Sequence, residues 1–412
     1  MNPQTSPRNP AHLPVAGGPT WRLPARLGPL ILALLGALFS GCGASYAGDG
    51  TPDLGTLLRP DWEQDLPTGA GPSALAVLDA NGDGRLDVAV ANGVDGTVRL
   101  YLQNDGRLLA GADYSVGRGP AALVALHLDD DNRLDLVVAN AADSTLSTLL
   151  TKGQPMAGFA PGPLLPIEDN PSTLAVGDLT GDGIDDVLVG CAGSESVVAL
   201  ENKRQAGTLT KLSTLSRLSS VRALALVPLD AGQPKRLDLA VARADREEIA
   251  LFQNDGRGAF AQSPMTLRLP AGSTPVALVA GNLDDDAQAR SDLAILDHGN
   301  GDVHIAQSLG PVQFRLASYH VGEKPAALAL GQLDSDARPE LALTDPSGER
   351  VGTLLGSSDA AGSPLPIGYY AAPGLPAALA IADIDGDSLG ELVVLCRAAG
   401  LLRVLSPQRS LR

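Results

Sequence analysis

PSALAVLDANGDGRLDVAVAN, residues 72–92, joins two short apolar runs through a turn crowded with oxygen. Asp79, Asn81, Asp83 and Asp87 stand at positions one, three, five and nine of that turn, with two glycines among them. A solvated turn needs one Asp or Asn and one Gly. The stretch also recurs. PAALVALHLDDDNRLDLVVAN begins at Pro120, PSTLAVGDLTGDGIDDVLVGC at Pro171, and a weaker copy, VRALALVPLDAGQPKRLDLAVAR, at Val221. Further copies begin at Pro275, Pro325 and Pro376. The anchor leucines Leu75, Leu123, Leu174, Leu224, Leu278, Leu328 and Leu379 are 48 to 54 residues apart. Seven ordered copies fill the chain from about residue 56 to its end.

Each copy reads as strands. In the first, ALAVL and DVAVAN flank the acidic turn, TVRLYLQ alternates, and a polar turn leads to a fourth strand in GADYSVGRGP. Apolar runs without clean alternation suit strands buried on both faces. Four strands per copy, repeated seven times, predict an all-β chain: a seven-bladed β-propeller of four-stranded blades. The chain ends distinguish a closed ring from an open stack. The last copy has ALAIA, ELVVL and LLRVL but no fourth strand, and PDWEQDLPTGAGP from Pro60 is a fourth strand without three before it. The N-terminal strand is therefore expected to close the ring.

At this point the chain resembles proteins with FG-GAP/VCBS-type repeats, the module of integrin α-subunit propellers and of many exported bacterial proteins. DLTGDGIDDVLVG and DANGDGRLDVAVAN carry the resemblance, which extends over the whole repeat array. It implies the propeller fold and calcium binding, and no particular activity.

The turns themselves point to a hard cation, which takes six to eight oxygens. Side chains at positions one, three, five and nine and the carbonyl of seven form a cup, with a left-handed residue at six. In the first loop these are Asp79, Asn81, Asp83, the Arg85 carbonyl and Asp87. The third has Asp178, Thr180, Asp182, the Ile184 carbonyl and Asp186; the seventh has Asp383, Asp385, Asp387, the Leu389 carbonyl and Glu391, with Ser388 at six. The second keeps Asp129, Asp131 and Asp135 but starts with His127, and has Asn132 at six, a residue that tolerates left-handed φ. The sixth has Gln332, Asp334, Asp336 and Glu340; the fifth has Asn282, Asp284, Asp286 and Asp292 with two extra residues. Calcium is expected in loops one, three and seven. In two, five and six both readings stay open. The fourth, with Pro228 first, is expected to be empty.

The net charge of −17 excludes nucleic acid as a partner, because phosphate binding needs clustered cations. Residues 1–41 read as a signal peptide: Arg22 and Arg26 precede the apolar run Leu30–Phe39, which is too short to span a bilayer. FSGC at 39–42 resembles a lipoprotein lipobox, with Phe39 where Leu is usual, and makes Cys42 the expected lipid anchor. Residues 42–55 then form a flexible tether and 56–412 the propeller. The expected location is the cell envelope, at the outer membrane if the cell has one, with a secreted or periplasmic protein as the alternative. The membrane is reached through the lipid alone, and a monomer is expected. Cys191 and Cys396 fall at matching repeat positions and read as small buried apolar residues rather than a disulfide.

No nucleophile elbow, HExxH or phosphate loop occurs. His298 and His304 flank a polar turn, and Asn92, Asn140, Asp297 and Asp345 share one repeat position that suits turn capping. The residues favour a non-enzymatic propeller that binds a protein or glycan. A polysaccharide-active or other hydrolytic or lyase enzyme, and a purely structural envelope subunit, are the alternatives.

Overall fold

The computed structural model describes residues 57–152, 158–229, 236–283, 290–310, 312–335, 338–354 and 367–407. The expected signal peptide, Cys42 and the tether lie outside them. The chain divides into Met1–Ser45 and Tyr46–Arg412, and the second unit holds all that follows.

It is a seven-bladed β-propeller. Blade 1 comprises Pro72–Leu78, Asp87–Asn92, Thr97–Asn104 and Arg107–Ser115, antiparallel and in sequence order from the innermost strand outward. Blades 2 to 6 repeat this order, starting at Pro120, Pro171, Val221, Pro275 and Ala327. The fourth strand of blade 1 starts earlier than its sequence suggests, at Arg107, and ends before the turn that carries Pro120. Blade 7 takes Pro376–Ala382, Glu391–Cys396 and Leu401–Ser406 from the C-terminal copy and Trp62–Pro67 from the N-terminal end. Trp62 pairs with Ser406 and Pro67 with Leu401, so the two chain ends complete one sheet, as their complementary deficits require. A further pairing has no counterpart in the sequence reading: Leu57–Leu58 adds in parallel to the outer strand of blade 6. Among the described residues no helix is long and apolar enough to cross a membrane.

The burial gradient explains the apolar runs. The second strand of every blade is buried throughout. In Asp87–Asn92 the pleat sends Val88 and Val90 to the core shared with blade 7, and Ala89 and Ala91 to the core shared with blade 2. Both faces are therefore apolar, and period-two alternation shows only in outer strands such as Trp62–Pro67. Cys191 and Cys396 are buried and free, in the cores where the repeat register placed them.

Antiparallel order puts the acidic turns and the turns between third and fourth strands on one face of the ring. The turns after the second strands, and the segments entering the first strands, form the other.

Candidate metal centre

The acidic turns of blades 1, 3 and 7 share one hydrogen-bond scaffold. The position-one aspartate caps the turn. Asp79 accepts from the amides of Gly82 at 2.7 Å and Gly84 at 2.8 Å. Asp178 accepts from Gly181 at 2.6 Å and Gly183 at 2.9 Å, and Asp383 from Gly386 at 2.7 Å and Ser388 at 2.9 Å. The position-five carboxylates of Asp83, Asp182 and Asp387 each accept from the position-seven amide at 2.9 Å. Position six is left-handed in all three, with φ of 82° at Gly84, 83° at Gly183 and 72° at Ser388. Position four is left-handed as well, at Gly82, Gly181 and Gly386, a requirement the sequence reading missed although glycine marks it each time.

Position nine has a role that ligand spacing did not reveal. Asp87 is fully buried; one oxygen accepts from the Ala80 amide at 3.0 Å and the other from the Gln103 amide at 2.7 Å. The same two bonds form at Asp135 (Leu128 and Thr151), Asp186 (Leu179 and Asn202) and Asp292 (Leu283 and Ser308). They form equally at Asp238, to Leu229 and Asn254, in the loop that begins with Pro228. This carboxylate thus clasps the turn to the end of the third strand whether or not the rest of a cation site is present. Burial pushes Asp87, Asp135 and Asp186 up to about 6, against the two amides that favour the charged form.

Blade 7 breaks the pattern. The third-strand amide that donates to the second oxygen lies sixteen residues after position nine, and sixteen residues after Glu391 stands Pro407, which has no N–H. Glu391 accepts from Ile384 at 2.8 Å and Asp385 at 3.3 Å through Oε2, while Oε1 is buried with no hydrogen-bond partner. Ligand oxygens of Asp383, Asp385 and Glu391 all lie within 4.8 Å of one another. Burial pushes Glu391 up to about 7; the amides of Ile384 and Asp385 oppose this, and the charges of Asp385 and Asp387 add to it. A divalent cation would supply the missing partner and reverse that charge penalty.

Other partnerless oxygens fall on the same positions. Thr180 Oγ1, at position three of the third loop, and Asn282 Oδ1, at position one of the fifth, are buried without hydrogen bonds. A buried acceptor without a donor is costly, and the oxygen-only donor set fits calcium. In the first loop Asp83 is held below the usual carboxylate range, chiefly by its hydrogen bond to the Arg85 side chain at 2.6 Å.

The degenerate loops are closed differently. In the second, His127 Nδ1 donates to the Arg133 carbonyl at 2.8 Å, the position-seven oxygen that a cation would use. Asn132 is left-handed at φ 62°, as its tolerance predicts, whereas Asp130 at position four is not among the left-handed residues. Asp131 pairs with Arg133 at 2.7 Å, and Asp129 Oδ1 accepts from the Asp131 amide at 3.0 Å, contacts that the first loop shares through Asp83 with Arg85 at 2.6 Å and Asn81 Oδ1 with the Asp83 amide at 2.8 Å. In the sixth, Gln332 Nε2 donates to the Asp334 carbonyl at 2.9 Å, and Glu340 accepts from Leu333 at 2.6 Å. Asp336 of that loop and Asp284 and Asp286 of the fifth lie outside the described residues.

Neighbouring loops are linked. The side-chain amides of Gln103, Asn202 and Asn254 donate to the carbonyls of Ile384, His127 and Leu179, at 2.8, 2.7 and 2.9 Å, each in the turn of the preceding blade.

On the opposite face, Asn92, Asn140, Asp297 and Asp345 are buried and do bind the turns beside them. Asn92 accepts from Gly69 at 3.1 Å, Asn140 donates to Thr145 at 3.1 Å, and Asp345 accepts from Ser347 at 2.7 Å. Asp297 accepts from Thr274 at 2.7 Å and Gly299 at 2.9 Å. It also faces His304 Nε2 at 3.1 Å, and His304 Nδ1 meets Ser318 Oγ at 2.8 Å. Serine, histidine and aspartate in line invite a catalytic reading, but the His304 ring is fully buried and offers no face to a substrate. Burial raises the Asp297 carboxyl; the bonds from His304, Thr274, Ser273 and Asn300 outweigh it and hold the group well below the usual range.

The FG-GAP-like repeat family matches residues 127–189, from the turn of blade 2 to the second strand of blade 3. No curated protein matches the sequence. Among solved structures the chain is similar to BBS1N, crystallised in complex with ARL6DN, at 14% identity and a TM-score of 0.60, covering 86% of this chain and 98% of that one. It is similar to a streptogramin B lyase at 14% identity and a TM-score of 0.57, covering 84% and 97%. It is also similar to hydrazine synthase of Kuenenia stuttgartiensis at 13% identity and a TM-score of 0.58, covering 86% and 98%. At these identities the likeness is one of fold.

Proposed function

We propose that this FG-GAP-repeat β-propeller is a calcium-stabilised, non-enzymatic binding protein anchored in the cell envelope by Cys42. The observation that carries the calcium reading is the buried Glu391, which clusters with Asp383 and Asp385 and has one oxygen without a hydrogen-bond partner. Loops one, three and seven hold the ions, through Asp79, Asn81, Asp83, the Arg85 carbonyl and Asp87; Asp178, Thr180, Asp182, the Ile184 carbonyl and Asp186; and Asp383, Asp385, Asp387, the Leu389 carbonyl and Glu391. Loops two and six are closed instead by His127 and Gln332. Bound calcium offsets part of the net charge of −17, whose self-repulsion opposes compaction.

The reading as a binding protein rests on where the polar groups go. The acids of one face hold turns and cations, and those of the other cap turns. What remains is a rigid ring whose loops present surface to a protein or glycan. The lipid anchor rests on FSGC after the apolar run.

Melting the protein with calcium and with excess chelator tests the ion. At free calcium a hundred times the dissociation constant, each site adds about 2.7 kcal/mol, so chelation lowers the melting temperature by many degrees. Identical curves reject calcium. Cys42→Ser moves the protein to the soluble fraction if the anchor is right. Crosslinking in intact envelopes, with and without chelator, then identifies the partner.

A further inference from the structure

The seventh loop stands on the seam where the chain ends meet. Trp62, the first residue of the closing strand, donates its indole N–H to Asp385 Oδ2 at 3.1 Å. Arg107, the first residue of the fourth strand of blade 1, lies over the Trp62 ring at 4.0 Å, and Asp105 and Gly106 form the turn before it. Gly106 of that turn sits so near Asp385 that a Cβ there would meet the Asp385 Cβ at 3.3 Å. Gln103 of blade 1 donates to the Ile384 carbonyl inside the loop at 2.8 Å. Gln64, two residues into the closing strand, pairs with the Leu108 amide and carbonyl of blade 1 at 3.1 and 2.8 Å. The loop therefore joins its own blade to the N-terminal strand, 323 residues away at Trp62, and to blade 1, 281 residues away at Gln103.

It is also the loop in which Pro407 stands where the other blades offer a second backbone donor: Glu391 Oε1 is buried without a hydrogen bond, and an oxygen of Glu391 clusters with Asp383 and Asp385. In loops one and three both position-nine oxygens are already engaged by amides. A cation at the seventh loop gains an otherwise uncommitted oxygen, and one of its ligands, Asp385, is the acceptor for Trp62.

We propose that a divalent cation held by Asp383, Asp385 and Glu391 latches the ring at its seam by fixing the Asp385 carboxylate that holds Trp62, and that this loop fills before loops one and three. The inference rests on the calcium reading above and adds to it an order of filling and a mechanical consequence. Without the ion, Asp383, Asp385 and the buried Glu391 repel one another and Asp385 loses its fixed position. With it, the indole N–H finds its acceptor in place and the closing strand is held at its first residue.

Trp62 is itself the reporter. The chain has two tryptophans, Trp21 and Trp62, so a full chain carrying Trp21→Phe has one. Terbium, an oxygen-seeking stand-in for calcium, should give tryptophan-sensitised emission in that chain, and Trp62→Phe should abolish it. Calcium should displace the terbium and reduce acrylamide quenching of Trp62. Removing one ligand charge by Glu391→Gln should weaken the Trp62 response by roughly tenfold or more. Pro407→Ala, which returns an amide to Glu391, should weaken it in the same direction and serves if the first variant does not fold. Asp182→Asn, in the third loop, should leave the Trp62 midpoint where it was. Amide exchange at Gln64 and Leu66 should slow on adding calcium, and less so in Trp62→Phe. If calorimetry registers calcium binding while Trp62 and these amides do not respond, the latch is overturned and the calcium reading stands. Equal shifts from Asp182→Asn and Glu391→Gln also overturn it. Absence of any binding heat removes both.

Discussion

The acidic turns of blades 2 and 7 begin from the same repeat and end in different chemistry. In blade 7 the first residue is Asp383, the ninth is Glu391, and Pro407 withholds the amide that would complete the clasp. The turn is left with a buried Glu391 oxygen that no donor reaches. In blade 2 the first residue is His127, whose ring N–H reaches the Arg133 carbonyl, and Asp135 keeps both its amides. That turn satisfies its own carbonyl. The difference separates two functions that share one motif. Position nine holds the turn to the sheet in the turns with and without a cation cup. The residue at position one decides whether the position-seven carbonyl is already bonded, as it is in blade 2.

The largest test removes the seam on which the blade 7 turn rests. Deleting residues 57–67 strips blade 7 of its fourth strand and exposes the edge from Leu401 to Ser406. It also removes the salt bridge from Arg403 to Asp65, which repeats in the closing blade the Arg99–Asp113 pair of blade 1. The expected outcome is loss of cooperative unfolding, read by calorimetry. A truncated protein that melts like the full chain would sink the closed ring.

The second test separates clasp from cup. Asp238→Ala, in the turn that starts with Pro228, leaves the Leu229 and Asn254 amides buried without an acceptor. Each costs about 1–3 kcal/mol, so urea unfolding should show a loss of about 3–5 kcal/mol, the same with calcium or with chelator. Asp182→Ala, a cup residue of blade 3, should cost about 2.7 kcal/mol in saturating calcium and much less in chelator. If both variants respond alike to calcium, the division between clasp and cup is wrong.

The sequence carried the repeat and the four strands because they are written at fixed intervals along the chain, and the ring closure because the two end copies are incomplete in complementary ways. Left-handed position six was legible even through Asn132 and Ser388. The clasp at position nine was not, because its second partner is a backbone amide on another strand, and every residue except proline carries one. Pro407 is the single side chain that signals its absence. The pairing of Leu57–Leu58 with blade 6 was hidden for a related reason: a two-residue edge strand has no periodicity to detect.

A third, smaller effect lies on the opposite face, where Asp297 and Asp345 bind turns. Asp297→Asn puts a donor against His304 Nε2 and should cost about 1–2 kcal/mol near neutral pH. The folded Asp297 carboxyl is depressed below its ordinary value of 3.8, so its stabilisation is complete above that value and is lost as the pH falls toward the folded one. The gap between variant and parent should therefore narrow below about pH 4 in urea melts. A gap that widens on acidification would mean that His304 and Asp297 do not hold each other as described.

The smallest expected effect is also the most direct exchange between the two turns compared. His127→Asp restores a carboxylate at position one of the blade 2 turn and frees the Arg133 carbonyl for a ligand. Asp129, Asp131 and Asp135 already stand at three, five and nine, and Asn132 is already left-handed. Position four remains unfavourable: Asp130 is not left-handed, and a side chain there resists the conformation that Gly82, Gly181 and Gly386 adopt. The single variant should gain at most about 1 kcal/mol from calcium, and His127→Asp with Asp130→Gly should gain more, toward the ~2.7 kcal/mol of a site at a hundredfold excess over its dissociation constant. In chelator both variants should be less stable than the parent, because the imidazole bond to Arg133 is lost and the introduced carboxylate adds charge to an acidic turn. Calcium titrations followed by melting temperature distinguish the cases. If the double variant gains no calcium dependence, position one is not what closes the blade 2 cup.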